Sequence, residues 1–281
     1  MLRSFRLLQI CLCLSLLPWL TSPLHQSVQA QEKPSPLKTG SQHLQFSTAP
    51  AIDLKVGANP LCKTWLEKFT TESFQVHVPK SYSPDVPHGL VVYVHSGDSM
   101  SPSWRDVLEK RKLIWIGAQK VGNKHDVTRR AGLSHLGALR IIERMNIDAD
   151  RIYTAGNSGG ARIAGHMAFL WPEIYKGSVM SVGASFHRKI PEADMKLTDD
   201  KKYVANFIPI PPANVPVAKA GSRFVLFTGP KDFRFQEIQD IFSEGYMKDG
   251  FKAKLIASHG GGHRLCNSPE FKTALDFIEQ K

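Results

Sequence analysis

The sequence predicts an α/β fold in which a mostly parallel sheet is covered by helices on both faces. Short apolar runs rich in β-branched residues alternate with longer segments of helical periodicity from about residue 61 onward. These runs are apolar along their whole length, as expected of parallel strands that are buried on both faces. The hydrophobic fraction of 42% supplies enough apolar side chains for a sizeable core, which excludes a disordered chain.

The first 30 residues predict a cleaved secretory signal before this domain. Arg3 and Arg6 are followed by the apolar stretch 7–20, and Ala30 ends a Val-Gln-Ala segment typical of a signal-peptidase site. A membrane anchor is the alternative, but the stretch contains Pro18 and is shorter than the roughly 20 apolar residues that span a bilayer. We therefore expect a secreted or periplasmic protein without a stable membrane anchor.

Residues 31–60 and residues 61–281 are predicted to differ in order. The first segment is rich in Pro, Ser, Gln and Lys and has little periodicity, which is typical of a flexible leader. The second segment is predicted to be the α/β domain. Its predicted strands are residues 74–78, 90–95, 113–118, 152–155, 178–182, 224–228 and 254–257.

Four helices are predicted in the same domain, at residues 126–145, 161–170, 235–247 and 268–278. The first has Leu133, Leu136 and Leu139 at helical spacing, the second is rich in alanine, the third is amphipathic, and the last begins at a cap-like Ser-Pro-Glu. Segment 185–220 does not fit the alternation, because it is charged first and proline-rich later. We expect it to form a small cap or rim, which either contacts the substrate or is an inert surface excursion.

A glycine-rich segment at residues 156–160, Gly-Asn-Ser-Gly-Gly, matches the pattern G-x-S-x-G between a predicted strand and a predicted helix. Glycines suit this sharp turn because a side chain at either flank would collide with the strand or the helix. The pattern predicts Ser158 as a nucleophile, and a turn without chemistry is the alternative. A phosphate-binding loop is disfavoured, since the G-x-G-x-x-G spacing and the P-loop lysine are both missing.

A serine nucleophile needs a histidine base and a carboxylate that precedes the histidine in the chain. His263 is the preferred base because it follows the last predicted strand through the loop SHGGGH, and His259 is its competitor. Their spacing also resembles a zinc site, but the three glycines between them disfavour the helix that would align both rings. Asp232 is the preferred acid because it follows a predicted strand directly, whereas Glu237 and Asp240 are expected on the solvated face of a helix.

The oxyanion of an acyl-transfer reaction needs backbone N–H donors. The run VYVHSGD ends the strand that is expected to neighbour the nucleophile strand, and its Ser96 is the expected donor from that side. Gly159, directly after Ser158, is the expected second donor.

The ordered segments VVYVHSG, DADRIYTAGNSGGARIA, VLFTGPKDF and SHGGGH resemble the α/β-hydrolases over about residues 70–280. Within them the chain is similar to the secreted polyhydroxybutyrate-depolymerase-like and feruloyl or acetylxylan esterase-like group. The resemblance implies that Ser158, Asp232 and His263 form a catalytic triad. Two positions depart from the group: Asn157 stands where a bulkier or aromatic residue is frequent, and Ser96 stands where glycine is common.

The resemblance and the ordered triad residues together imply a serine hydrolase that cleaves a small or polymeric carboxylic ester through an acyl-enzyme. Such a reaction needs no metal or organic cofactor. A peptidase of the same fold and a catalytically silent extracellular binding protein are the alternatives. Loss of Arg3 and Arg6 would lower the formal charge from +11 to +9, and the remaining basic residues are scattered among acids, which disfavours nucleic acid as a partner.

Cys62 and Cys266 are the cysteines that remain once the predicted signal is removed. A disulfide between them would suit an oxidising compartment. Two separate buried thiols are equally compatible with the sequence.

Overall fold

The computed structural model describes residues 35–51, 59–191, 208–257 and 260–280. The predicted signal therefore lies outside the described residues, as do His259 and the centre of segment 185–220. No helix in the described ranges is both long and apolar enough to cross a membrane.

One mixed sheet of eight strands forms the centre of the described domain. Its order is β1-β2-β4-β3-β5-β6-β7-β8, with β2 antiparallel to both of its neighbours and all other neighbouring pairs parallel. The strands are β1 Gly40–Gln45, β2 Ser73–Val78, β3 His88–Val94, β4 Leu113–Ala118, β5 Ile147–Asn157, β6 Gly177–Ser181, β7 Arg223–Phe227 and β8 Lys252–Ile256. The predicted mostly parallel sheet is confirmed, and each of the seven predicted strands overlaps one of β2 to β8.

Helices lie between the strands and after the last strand, and they cover the sheet. They are α1 Pro60–Leu66, α2 Arg105–Arg111, α3 Val127–Arg144, α4 Gly159–Leu170, α5 Asn214–Gly221, α6 Phe235–Asp240 and α7 Ser268–Ile278, and a π-helical turn at Ile241–Met247 continues α6. The four predicted helices correspond to α3, α4, α6 with its extension, and α7. The sequence did not predict α1, α2 and α5, because seven or eight residues are too few to show an apolar period.

The two faces of the sheet carry separate hydrophobic clusters. Val92 and Val94 of β3 point into one cluster, which α3 and α4 cover, while Val91 and Tyr93 point into the other. Val107 of α2 and side chains of α7 cover this second face. Since successive side chains of a strand point to opposite faces, burial on both sides requires the continuous apolar runs seen in the sequence.

The folded domain begins earlier than residue 61. Residues 40–45, which were predicted as part of a flexible leader, form the edge strand β1 and pair with β2. Its sequence, GSQHLQ, is mainly polar and its exposure alternates along the strand, which is typical of an edge strand with one solvated face. The prediction of a leader was wrong at these residues.

The described ends of segment 185–220 belong to the body of the domain. Phe186 and Ile190 are buried in the core, and the carbonyl of Ile208 accepts a hydrogen bond from the buried His166 ring at 2.6 Å. The segment ends in α5. A cap or rim role stays a prediction for residues 192–207, which lie outside the described residues.

The two cysteines are buried on opposite faces of the sheet. Cys62 of α1 belongs to the cluster around α3, whereas Cys266 belongs to the cluster around α2 and α7. Both are free thiols, so the disulfide alternative was wrong. Burial raises the pKa of each thiol to about 12.

The native thiols should therefore be almost unreactive at about pH 8, because the thiolate is the reactive species. Ellman's reagent should titrate Cys62 and Cys266 only after unfolding, and a reducing agent should leave the Tm unchanged. Recovery of a peptide that joins Cys62 to Cys266 from the unreduced protein would contradict this prediction.

Candidate active site

Ser158 occupies a strained turn between β5 and α4. Its backbone angles are φ 53° and ψ −123°, and a positive φ is uncommon for residues other than glycine. Its N–H donates a hydrogen bond of 2.8 Å to the carbonyl of Ser181, the last residue of β6. Strand β6 thus fixes the backbone of Ser158, and this backbone sets the direction of the serine side chain.

The glycines around Ser158 let three backbone segments meet. A Cβ at Gly160 would overlap the carbonyl of Val94 at the end of β3, and a Cβ at Gly156 would overlap the backbone of Gly160. A Cβ at Gly183 would overlap the carbonyl of Ser158 itself. The expected steric need for glycine beside Ser158 is confirmed, and it places the first turn of α4 against the end of β3.

The structure brings Ser158, His263 and Asp232 into one hydrogen-bonded series. Ser158 Oγ lies 2.7 Å from His263 Nε2, and His263 Nδ1 lies 2.8 Å from Asp232 Oδ1. The geometry lets the Ser158 hydroxyl donate to Nε2 while the Nδ1–H donates to the carboxylate. The His263 side chain is 24% exposed and the Asp232 side chain is fully buried, so solvent reaches the imidazole but not the carboxylate.

Asp232 is held as a carboxylate by several donors. The Thr228 hydroxyl lies 3.0 Å from its Oδ2, and the Arg234 backbone N–H donates to its Oδ1 at 3.1 Å. Burial by itself would raise the pKa of Asp232, but the hydrogen bonds from His263, Arg234 and Thr228 and the charge on His263 lower it below its ordinary value. The group is therefore ionised at neutral pH.

The loop that carries His263 is anchored at Cys266, three residues later in the chain. The Trp104 indole N–H donates to the Cys266 carbonyl at 2.7 Å, and the Cys266 N–H donates to Ser181 Oγ at 3.3 Å. The Trp104 ring also stacks on Phe271 of α7, with ring centroids 3.9 Å apart. These contacts restrain a glycine-rich loop that has few side chains of its own to pack.

The two expected oxyanion donors lie on segments that adjoin each other. The Ser96 carbonyl accepts a hydrogen bond from the Asn123 N–H at 2.8 Å, and buried Arg130 donates to the His95 carbonyl at 3.2 Å. In the part of the chain that the structure describes, the N–H groups of Ser96 and Gly159 have no acceptor. Gly159 opens α4, whose first N–H groups have no intrahelical partner. The role of these two N–H groups as an oxyanion hole stays a prediction.

Comparisons with known proteins were informative only at the level of structure. No protein-family model matches the chain, and a search of curated proteins found no relative. Among solved structures, the chain is similar to an S-formylglutathione hydrolase from Staphylococcus aureus (12% identity, TM-score 0.59, 85% of this chain and 98% of that chain). A fluorophosphonate-binding serine hydrolase from the same organism matches at 13% identity and TM-score 0.54, over 86% of this chain and 99% of that chain. One of two fungal esterases from Rhizomucor miehei matches at 15% identity and TM-score 0.51, over 74% and 77%.

The chain has the α/β-hydrolase fold. The strand order and the strand-to-helix turn at Ser158 are those expected for this fold. At these low identities, the likeness shows the fold and no narrower group.

A buried ion network behind the triad was not predicted from the sequence. Glu237, expected on the solvated face of a helix, is only 5% exposed and pairs with Arg162 of α4 and with Arg234. The Arg234 guanidinium donates to Glu237 Oε2 at 2.8 Å, and the N–H of the same arginine binds Asp232. The prediction for Glu237 was wrong because its carboxylate faces two arginines of this network and not solvent. Asp240 is partly exposed and accepts a hydrogen bond from Gln236.

A cleft of about 590 Å³ lies at the other end of the strands. Its lining includes Arg151, Lys176, Arg223 and Lys252, which lie near the amino ends of the parallel strands. Ligands of open α/β sheets gather at the carboxyl ends, where Ser158 lies, so we assign no role in the chemistry to this cleft. The described ranges contain no cluster of His, Cys, Asp and Glu that could hold a metal ion.

Removal of Glu237 should destabilise the fold strongly, because it would leave the charges of Arg162 and Arg234 buried without their shared partner. We expect Glu237→Ala to lower the free energy of unfolding by about 3–5 kcal/mol, measured by urea denaturation. Glu244→Ala is a matched control, since Glu244 pairs with Lys248 at the surface at 3.0 Å and its loss should cost less than about 1 kcal/mol. Equal losses in the two variants would contradict the role assigned to the network.

Proposed function

We propose that the chain is a serine hydrolase that cleaves carboxylic esters through an acyl-enzyme. The single observation that carries the proposal is the hydrogen-bonded series from Ser158 through His263 to the buried Asp232. The solved structures with a similar fold include proteins described as esterases and serine hydrolases, which supports the reaction class. A catalytically silent binding protein of this fold would not require the ordered series of serine, histidine and aspartate.

In the acylation step, Ser158 Oγ attacks the ester carbonyl and passes its proton to His263 Nε2. Asp232 accepts the Nδ1–H, holds the ring in the productive tautomer and stabilises the imidazolium that forms. The N–H groups of Ser96 and Gly159 are the proposed donors to the oxyanion. The attack forms a tetrahedral intermediate. When this intermediate collapses, the bond to the alcohol breaks, and the alcohol leaves with the proton from Nε2.

In the deacylation step, water replaces the alcohol. His263 Nε2 accepts a proton from the water as it attacks the acyl carbonyl, and a second tetrahedral intermediate forms against the same N–H groups. Ser158 then leaves as a hydroxyl by regaining the proton from Nε2. Side chains and backbone groups of this chain account for each proton, so the proposed reaction requires no cofactor.

The proposed location is outside the cytoplasm, in a secreted or periplasmic form that has lost residues 1–30. The basis is the sequence of the first 30 residues, with its two arginines, apolar stretch and Val-Gln-Ala end. The sequence motifs support a narrower proposal for the substrate, an ester of the polyhydroxybutyrate, feruloyl or acetylxylan class.

Ser158→Ala should abolish ester hydrolysis while leaving the fold intact. We expect kcat to fall by about three to six orders of magnitude, because the acyl-enzyme is no longer formed. The direct measurement is labelling with a fluorophosphonate probe, followed by mapping of the adduct to the peptide that contains Ser158. A folded wild-type protein that hydrolyses no ester and takes no label at Ser158 would refute the proposed function.

The choice of base is tested by a matched pair of histidine variants. His263→Ala should approach the defect of Ser158→Ala, since it removes the group that accepts the serine proton. His259→Ala, four residues earlier in the same loop, should change kcat/KM less than about tenfold. The reverse ranking would transfer the role of base to His259.

A further inference from the structure

Phe233 exposes an aromatic ring directly beside the triad. Its relative exposure of 74% is the highest among the large hydrophobic side chains that the structure describes. The ring centroid lies 4.3 Å from that of His263, and the two planes are tilted by 33°. An exposed apolar ring in contact with a proposed catalytic base is a feature that the steps above do not use.

The Phe233 ring also contacts the side chain of Arg234. The Arg234 guanidinium lies 5.1 Å from the ring centroid, a distance at which a cation is attracted to an aromatic ring. That guanidinium is fixed by its ion pair with buried Glu237, which also pairs with Arg162 on the nucleophile helix α4. The ring is therefore linked through Arg234 and Glu237 to helix α4.

The chemistry of the proposed reaction indicates which part of the substrate lies beside the Phe233 ring. In acylation, the departing alcohol takes its proton from His263 Nε2, so the alcohol lies next to the His263 ring when the ester bond breaks. The acyl group stays on Ser158. A surface in contact with His263 therefore borders the alcohol side of the site, and its apolar face suits a flat or ring-containing alcohol.

We propose that Phe233 forms the alcohol-side subsite and selects esters whose alcohol carries an aromatic or other apolar ring over esters of short alcohols. This inference rests on the proposed ester hydrolysis and adds the substrate class to it. Phe233 acts by binding, so its effect is on the alcohol and not on the acyl group.

The test compares Phe233→Ala with the wild-type protein on 2-naphthyl acetate and ethyl acetate, which share an acyl group. The kcat/KM for 2-naphthyl acetate should fall about tenfold, and that for ethyl acetate should change less than about twofold. The effect on 2-naphthyl butyrate should match that on 2-naphthyl acetate, because the alcohol is the same. For each ester, the kcat/KM of the variant is divided by that of the wild-type protein. This ratio cancels the difference in reactivity between the naphthol and ethanol leaving groups.

Two controls separate this subsite from other effects. Phe233→Tyr keeps the ring and should keep the preference for the naphthyl ester, while Val217→Ala removes an exposed apolar side chain of α5 and should change neither ester. Equal losses on both acetates in Phe233→Ala would overturn the subsite, since the ring would then serve only to support His263. Labelling of Ser158 by the fluorophosphonate probe is measured in parallel, so failure of the proposed hydrolysis is recognised separately.

Discussion

The backbone conformation of Ser158 is the constraint on which the site depends. A positive φ at a residue with a side chain costs on the order of 1–3 kcal/mol and persists only where the surroundings enforce it. The enforcing contacts are the hydrogen bond from Ser158 N–H to Ser181, the close approach of Gly183, and the contact of Gly160 with the end of β3. Three neighbouring strands therefore fix the serine hydroxyl and the N–H of Gly159 relative to one another, before any substrate is present.

The histidine and the acid have no comparable framework, because each comes from a loop after a strand near the edge of the sheet. Their positions depend on anchors outside the loops. The Cys266 backbone is fixed by Trp104 and Ser181, and the segment after Asp232 is fixed by the ion pair between Arg234 and Glu237. A buried ion network is costly to desolvate, so its contribution here is geometric. It joins the loop that carries Asp232 to helix α4, which begins directly after Ser158.

The sequence predicted the parts of the structure that a local pattern determines. Continuous apolar runs predicted the six interior strands β2 to β7 and part of the edge strand β8, since burial on both faces leaves few positions for a polar side chain. Chain order and the strand-to-helix glycine turn were enough to select Ser158, Asp232 and His263, which the structure brings together. Strand β1 escaped detection because an edge strand with one solvated face needs few apolar residues.

Long-range contacts were outside the reach of local patterns. Glu237 is buried in an ion pair with Arg162, which lies 75 residues earlier in the chain, and no spacing rule relates the two. The free state of Cys62 and Cys266 has the same origin. Their separation depends on which face of the sheet each neighbouring helix covers, and residue types alone do not determine that choice.

The alternation of buried and exposed side chains along residues 232–234 places one outward side chain beside the proposed base. Asp232 and Arg234 are both buried, the first against His263 and the second against Glu237, so the side chain between them is directed outward. Nothing in the packing of the domain requires that outward side chain to be apolar, because it is 74% exposed. The fold therefore fixes where residue 233 stands beside the base and leaves its chemistry free. In the proposed reaction, a phenylalanine at that position gains apolar burial when the alcohol of the substrate covers its ring, and an alcohol too short to reach the ring gives no such gain.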